Sequence, residues 1–165
     1  MLLRDATEMD LQAIAEIYNQ AVLAKFETAE TDPVTLDSRR AWLAAHTPDR
    51  YPVYVCEIEG KVAGWVSLSP YRPGREALRY AAEISYYVHS DFRRRGIATA
   101  LIEYATGRAM ELGLKTLFAI VLDKNAASVA ILIKMGFEKW GHLPRIADFD
   151  GEECGHLYYG KRIRE

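Results

Sequence analysis

The fold of this chain is decided by the stretch Asp91-Phe92-Arg93-Arg94-Arg95-Gly96-Ile97-Ala98-Thr99, in which three arginines run directly into a glycine. An extended run rich in aromatic and β-branched residues, 84–88, precedes it, and a helical pattern over 97–112 follows. The start of a helix offers free N–H groups and the positive end of the helix dipole to an anion. Gly96 lets the backbone approach a phosphate closely, and arginine supplies bidentate donors. The stretch therefore predicts a binding site for a pyrophosphate.

Two common nucleotide-binding motifs do not explain this site. No two glycines in the chain are two residues apart, so the dinucleotide fingerprint G-x-G-x-x-G is excluded. The segment 155–161 has the glycine and lysine spacing of a P-loop, but Arg162 follows where the motif needs Ser or Thr. That segment is also aromatic and strand-like. We interpret its similarity to a P-loop as coincidence.

Composition limits the class of protein. The chain has 165 residues, half of them hydrophobic, which predicts one domain, 1–165, with a substantial core. A net charge of -2 argues against nucleic-acid binding. Cys56 and Cys154 form no C-x-x-C pair, and no apolar run approaches the roughly 20 residues of a membrane span. The first residues lack a signal-peptide pattern, so we expect a soluble cytoplasmic protein without membrane partners.

Hydrophobic periodicity predicts an α/β chain with a mixed sheet. A hairpin near residue 60 is followed by alternating strands and helices from residue 82 onwards. We expect helices near 7–24, 34–46, 97–112 and 126–135, and strands at 2–5, 53–58, 62–68, 82–88, 116–122, 137–143 and 157–162.

Two motifs carry a family resemblance. The pattern Arg93-x-x-Gly96-x-Ala98 resembles motif A of the GNAT superfamily of acetyl-CoA-dependent acetyltransferases, and residues 125–137 resemble its motif B. Residues 18–22, 64–67 and 82–88 resemble the phosphinothricin and methionine-sulfoximine acetyltransferase branch. The resemblance implies the GNAT fold, a central mixed sheet with splayed strands flanked by helices. It also implies acetyl-CoA as co-substrate and a homodimer.

The resemblance assigns candidate roles along the splayed strand and the two motifs. Glu83 matches the general base that deprotonates the amine; the less favoured alternative is a strand-end glutamate that faces solvent. A backbone N–H of this strand would stabilise the oxyanion. Asn125 is placed to cap a helix and, by resemblance, to contact cofactor or substrate. The cofactor-binding candidates are Tyr86, Tyr87, Val88, Arg93, Arg94, Arg95, Gly96, Ile97, Ala98, Thr99, Asn125 and Ser128.

A basic loop before the candidate base suggests how an acidic substrate is held. Arg72 follows an aromatic residue, as in the branch, and Arg75 lies three residues further on. A guanidinium suits a carboxylate or phosphinate, but an exposed basic loop is an almost equally good interpretation. The substrate-binding candidates are Arg72, Arg75, Tyr80, Glu83 and Asn125.

One departure from the family pattern concerns the general acid. Leu132 stands where many GNAT enzymes carry the tyrosine that protonates the departing thiolate, and it cannot donate a proton. His156 matches a histidine of some relatives, yet a lone strand histidine is more often structural. The four histidines are scattered, and we expect no metal site.

The sequence thus predicts an enzyme that transfers acetyl groups directly from acetyl-CoA to the amine of a small amino-acid-like substrate. A peptide or protein N-terminus is the alternative acceptor. A non-catalytic acyl-CoA-binding sensor is the alternative from a different class. Glu83 separates these classes, because a sensor needs no carboxylate near the thioester.

Overall fold

A computed structural model describes residues 1–165 as one seven-stranded sheet in the order β1-β2-β3-β4-β5-β7-β6. The strands are β1 (Leu2–Asp5), β2 (Val53–Ile58), β3 (Lys61–Pro70), β4 (Ala81–Val88), β5 (Thr116–Leu122), β6 (Glu138–Phe149) and β7 (Glu152–Arg162). The α-helices are α1 (Leu11–Ala24), α2 (Leu36–Ala44), α3 (Ile97–Glu111) and α4 (Ala126–Lys134). None of these helices combines the length and apolarity that a membrane span requires.

The sheet is mixed and splits at its centre. Strands β1 to β4 pair antiparallel, whereas β4 and β5 are parallel neighbours joined through α3. Their pairing covers only Ala81–Glu83 opposite Thr116–Phe118. Beyond Glu83 the two strands separate, while β5 continues in its pairing with β7 as far as Leu122. The expected mixed sheet with splayed central strands is confirmed.

Apolar cores lie on both faces of the sheet. The larger one packs beneath α3 and includes the inner face of that helix, Leu101, Ile102, Ala105 and Ala109. The smaller one packs beneath α1 and α2 and contains Trp65. Helix α3 sits close to β3 because Gly64 has no side chain: a Cβ there would lie 2.9 Å from the Tyr87 carbonyl oxygen and 3.1 Å from Leu101 Cδ1.

The last two strands are longer than the sequence pattern predicts. They form a continuous hairpin that turns at Asp150 and Gly151, both with positive φ. The sequence predicted strands only at 137–143 and 157–162. Most of β6 is exposed, so it carries little of the alternation that marks a half-buried strand. Its register also shifts twice, between Lys139 and Gly141 and between Leu143 and Ala147, which interrupts the pattern further.

Candidate active site

The basic turn before α3 presents backbone donors to a cleft. Gly96 adopts a left-handed conformation with φ 75, and Arg94 also has positive φ. The first hydrogen bond of the helix runs from Ala100 N to Gly96 O at 3.0 Å. The preceding N–H groups of the first turn therefore remain available to a ligand. Glycine is favoured here because it adopts this φ without the strain that a Cβ adds.

This turn forms one side of a cleft of about 520 Å³. All the predicted cofactor residues line it except Arg95, whose guanidinium stacks over the Phe92 ring at 5.3 Å. The Tyr86 hydroxyl is buried without a hydrogen-bond partner. Burial raises the pKa of Tyr86 to about 12, an effect that the nearby Ser128 hydroxyl partly offsets. A basic turn, a free helix start and an unpaired buried hydroxyl fit a long ligand with a pyrophosphate and polar groups, such as acetyl-CoA.

The opposite side of the cleft is the start of α4. The Asn125 side chain caps this helix by accepting a hydrogen bond from Ser128 N at 3.2 Å, and both residues line the cleft. Asn125 is thus a helix cap that also faces the ligand space. Leu132 is fully buried in the core, and Ile131 lies on the cleft wall instead. The residue at the position where many GNAT enzymes carry the tyrosine of motif B, Leu132, therefore does not line the cleft.

A second cavity, of about 420 Å³, adjoins the cleft. Successive side chains of a strand alternate between faces, so Glu83, Ser85 and Tyr87 of β4 point to this cavity together. Tyr87 and Glu27 line both the cavity and the cleft. The cavity and the cleft meet where β4 and β5 separate. We call the cavity the acceptor cavity, because the amine that accepts an acetyl group would bind there.

Glu83 has the environment of a general base. It is partly exposed, lines the acceptor cavity and forms no ion pair. Burial alone raises the pKa of Glu83 above the ordinary value of 4.5. A carboxylate with a raised pKa accepts a proton more readily than a solvated one. His156 lines the same cavity, and burial lowers its pKa.

Residues 18–22 organise both spaces from helix α1. Tyr18 lines the acceptor cavity. The Asn19 side chain holds Val34 by both backbone groups, donating to its carbonyl at 3.1 Å and accepting from its N–H at 2.8 Å. Gln20 accepts from Ser90 N at 2.9 Å, just before the basic turn. The segment that resembles the acetyltransferase branch therefore fixes the loop before α2 and the approach to α3.

Three predicted substrate residues lie away from both spaces. Arg72 and Arg75 are exposed, on a loop whose Tyr71 stacks against Phe118 at 4.7 Å between ring centroids. Tyr80 lies beneath the Arg79 guanidinium, 4.4 Å from its ring centroid. None of the three lines the cavity or the cleft.

The acceptor cavity contains one cation that the sequence analysis missed, Arg39 of α2. It is 9% exposed. A signal for it exists, because Arg39 precedes Trp42 and Leu43 by three and four residues and so shares their helix face. An Arg-Arg pair in a polar segment otherwise resembles a solvated helix surface.

Comparison with known proteins agrees with this architecture. The profile described as Acetyltransferase (GNAT) family matches residues 11–137. The chain belongs to the GNAT acetyltransferase family. The Bacillus subtilis (strain 168) protein YwnH is 39% identical over 99% of each chain. The L-methionine sulfoximine/L-methionine sulfone acetyltransferase of Pseudomonas paraeruginosa is 35% identical, covering 87% of this chain and 84% of that protein.

Solved GNAT structures superpose on nearly the whole chain. A phosphinothricin acetyltransferase from Sinorhizobium meliloti in complex with acetyl-CoA has a TM-score of 0.94 and 30% identity, covering 99% of this chain and 89% of that one. A ribosomal-protein-alanine N-acetyltransferase from Brucella melitensis has a TM-score of 0.93 and 36% identity, covering 98% and 99%. This GNAT protein is an acetyl-CoA-dependent N-acetyltransferase of the phosphinothricin and methionine sulfoximine acetyltransferase branch.

Proposed function

We propose that this enzyme acetylates the amine of a small amino-acid-like substrate, of the phosphinothricin or methionine sulfoximine type, with Glu83 as general base. The observation that carries the proposal is the position of Glu83, in a cavity that meets the cofactor cleft at Tyr87. An amine bound beside Glu83 faces the end of the cleft where the thioester of acetyl-CoA would lie.

The reaction needs one enzyme group to deprotonate the ammonium and no covalent enzyme intermediate. Glu83 takes a proton from the ammonium, directly or through a water, and the amine nitrogen attacks the thioester carbonyl carbon. The C–N bond forms, the C–S bond breaks, the nitrogen gives up its second proton to water, and the coenzyme leaves as a thiolate. Free thiols have a pKa of about 8.5, so the thiolate is a good leaving group without a strong acid beside it.

Direct transfer is supported by the state of the two cysteines. Cys56 and Cys154 are both buried, and burial raises the pKa of each thiol. Neither lines the acceptor cavity or the cleft. A thiol nucleophile works as its thiolate, so these residues are poorly suited to carry an acetyl group.

The cavity favours a compact acceptor. Its wall contains a cluster of aromatic rings, with Tyr18 and Tyr87 5.1 Å apart, Trp65 and Tyr87 4.8 Å apart, and Trp42 and Trp65 5.2 Å apart between centroids. Such rigid walls define a fixed shape for a short side chain. The activity named for the Pseudomonas relative supports the same substrate class.

The test is thiol release from acetyl-CoA in the presence of different amines. Phosphinothricin and methionine sulfoximine should be acetylated faster than spermidine or a short peptide. Faster acetylation of the peptide would contradict the substrate class and favour an N-terminal acetyltransferase. Absence of turnover with every amine, together with tight acetyl-CoA binding, would favour a sensor. Enzyme incubated with radiolabelled acetyl-CoA alone should retain no covalently bound label after denaturation, because transfer is direct.

We also propose a homodimer formed through strand β6. This strand exposes Trp140, Leu143 and Ile146, which are 48%, 39% and 53% exposed. A second copy would cover these side chains. Light scattering coupled to gel filtration should give twice the chain mass, and Ile146→Glu should shift it to the monomer. A wild-type monomer at micromolar concentration would contradict this proposal.

A further inference from the structure

The acceptor cavity holds a buried arginine without an anionic partner. Arg39 forms no ion pair, and its Nε has no hydrogen-bond partner. Its neighbour Arg40 behaves as an ordinary surface residue: it is exposed and pairs with Asp37 at 2.8 Å and with Glu8 at 3.5 Å. Of two adjacent arginines, the exposed one has two carboxylate partners and the buried one has none.

The Arg39 guanidinium is held in place by two aromatic rings. Its Cζ lies 4.2 Å from the Tyr18 ring centroid and 4.8 Å from that of Trp42. The Tyr18 hydroxyl is hydrogen-bonded to Thr28 at 2.9 Å, which orients the first ring. Thr35 caps α2, the helix that carries Arg39, by accepting from Ser38 N at 3.1 Å. The cation is therefore positioned by its surroundings before any ligand arrives.

The aromatic contacts do not balance the charge. A cation–π contact offsets only part of the cost of burying an unpaired ion. A buried cation without a counter-ion in a ligand cavity indicates that the ligand supplies the anion. The guanidinium fork suits a carboxylate, which it binds through two parallel N–H···O bonds.

The carboxylates of the cavity do not serve as that counter-ion. Glu27 accepts a hydrogen bond from Arg93 of the basic turn at 3.0 Å. Glu83 has a pKa raised by burial alone, with no opposing contribution from a nearby cation. Arg39 and Glu83 both line the acceptor cavity of about 420 Å³ and form no ion pair with each other, so a ligand in that cavity can contact both side chains.

We infer that Arg39 binds the carboxylate of the acceptor and holds its amine toward Glu83. This inference rests on the proposed function, because it specifies how an amino-acid-like substrate is recognised in that site. The indole Nε1 of Trp65, which is buried and unpaired in the same cavity wall, offers a second donor for an oxygen of the ligand. The exposed Arg72 and Arg75 play no part in this contact.

The kinetic test compares an acid with its neutral counterpart. Methionine sulfoximine carries one anionic group, its carboxylate, and the corresponding carboxamide carries none. Arg39→Gln should lower kcat/KM for the acid about 100-fold, the scale expected when a buried charge loses its partner, and lower it less than about threefold for the carboxamide. The KM for acetyl-CoA should not change. Arg40→Gln, one residue away but exposed, is the matched control and should leave both substrates unaffected.

A merely structural arginine would give a different pattern. If Arg39→Gln lowers turnover of the acid and the carboxamide by the same factor, the inference is overturned. A wild-type enzyme that turns over both equally also overturns it. Arg39→Lys keeps the charge without the fork and should retain part of the preference for the acid. This variant keeps the test available if Arg39→Gln does not fold.

A binding measurement separates failure of the inference from failure of the proposed function. Trp42 and Trp65 line the cavity, so their fluorescence should report a ligand there. N-acetyl-methionine should quench or shift this fluorescence in wild type and not in Arg39→Gln, and N-acetyl-methioninamide should have no effect on either. Binding that depends on Arg39 without acetylation of amino acids would sustain the inference and contradict the proposed function. Acetylation of amino acids together with binding that does not depend on Arg39 would sustain the proposed function and contradict the inference.

Discussion

Arg93 of the basic turn donates a hydrogen bond to Glu27 of the acceptor-cavity wall across 3.0 Å. This ion pair links the place where a pyrophosphate would bind to the loop that shapes the acceptor cavity. Both side chains are partly exposed, so the pair itself contributes at most about 1 kcal/mol. We propose that Glu27 competes with acetyl-CoA for the Arg93 guanidinium, because the ion pair occupies a donor that could otherwise bind the pyrophosphate.

Replacing Glu27 by Gln should therefore strengthen acetyl-CoA binding. The change frees Arg93 and removes a negative charge from the edge of the cleft. We expect a gain of about threefold in affinity at low salt, within the range of exposed ion pairs, and a smaller gain at high salt. Calorimetric titration at two ionic strengths measures this. Weaker binding in the variant would mean that Glu27 positions Arg93 rather than competing for it.

Gly96→Val should damage the cofactor cleft without disturbing the core. The residue has φ 75, and no atom lies within 4 Å of the Cβ position, so the cost arises from backbone strain and from a side chain placed in ligand space. Acetyl-CoA affinity should fall at least about tenfold, or 1.4 kcal/mol. If calorimetric titration shows that the folded variant binds acetyl-CoA as tightly as wild type, the basic turn is not part of the binding site.

Tyr86→Phe should weaken acetyl-CoA binding while leaving the free enzyme at least as stable. Its hydroxyl is buried without a partner, so the free protein loses no hydrogen bond when it is removed. The ligand would lose a bond that contributes about 0.5–1.5 kcal/mol. Thermal unfolding with and without acetyl-CoA reports both effects.

A matched control is Tyr54→Phe. The Tyr54 hydroxyl is also buried and unpaired, but it does not line the cleft. This variant should leave acetyl-CoA binding unchanged. Equal losses of affinity in both variants would show that the effect of Tyr86 is not a contact with the ligand.

Gly64→Ala should destabilise the protein through the contact between β3 and α3. A Cβ at this position would lie 2.9 Å from a backbone oxygen, which cannot move without shifting β4. Overpacking of this kind costs about 1–3 kcal/mol of unfolding free energy. Gly107→Ala is the control, because it lies inside α3 with open space around the Cβ and should stabilise by up to about 1 kcal/mol. Urea unfolding of both variants measures the difference, and a neutral Gly64→Ala would contradict the packing argument.

The sequence predicted the sheet and the basic turn because both rest on local patterns. Strands β2 to β5 have strong alternation or apolar runs, and the turn before α3 combines a glycine with charge at a helix start. The β6–β7 hairpin was underestimated, since its exposed strand and shifted register weaken that alternation. Local patterns describe single elements well, and they fail where a strand is defined mainly by its partner.

The acceptor cavity could be predicted only in part. Glu83 was predicted from its position on the strand that leads into motif A, and it lines the cavity. Arg39 was missed because its burial depends on α2 packing against Tyr18, a contact between separate elements that Asn19 helps to fix through Val34. Arg72 and Arg75 were favoured instead because they are near Glu83 in sequence. Proximity along the chain did not bring them to the cavity, since Tyr71 anchors their loop on Phe118.

The central claim is that Glu83 removes the proton from the acceptor amine, and the pH dependence of Glu83→Gln tests it most directly. A base works only when deprotonated, so a raised pKa moves the acidic limb of the rate profile above the ordinary glutamate range. Wild type should show this limb in kcat/KM, which reports the free enzyme, and Glu83→Gln should lose it. The variant should also lose about 10²-fold in kcat/KM with unchanged acetyl-CoA affinity. A variant that keeps both the limb and the wild-type rate would place the base at another residue.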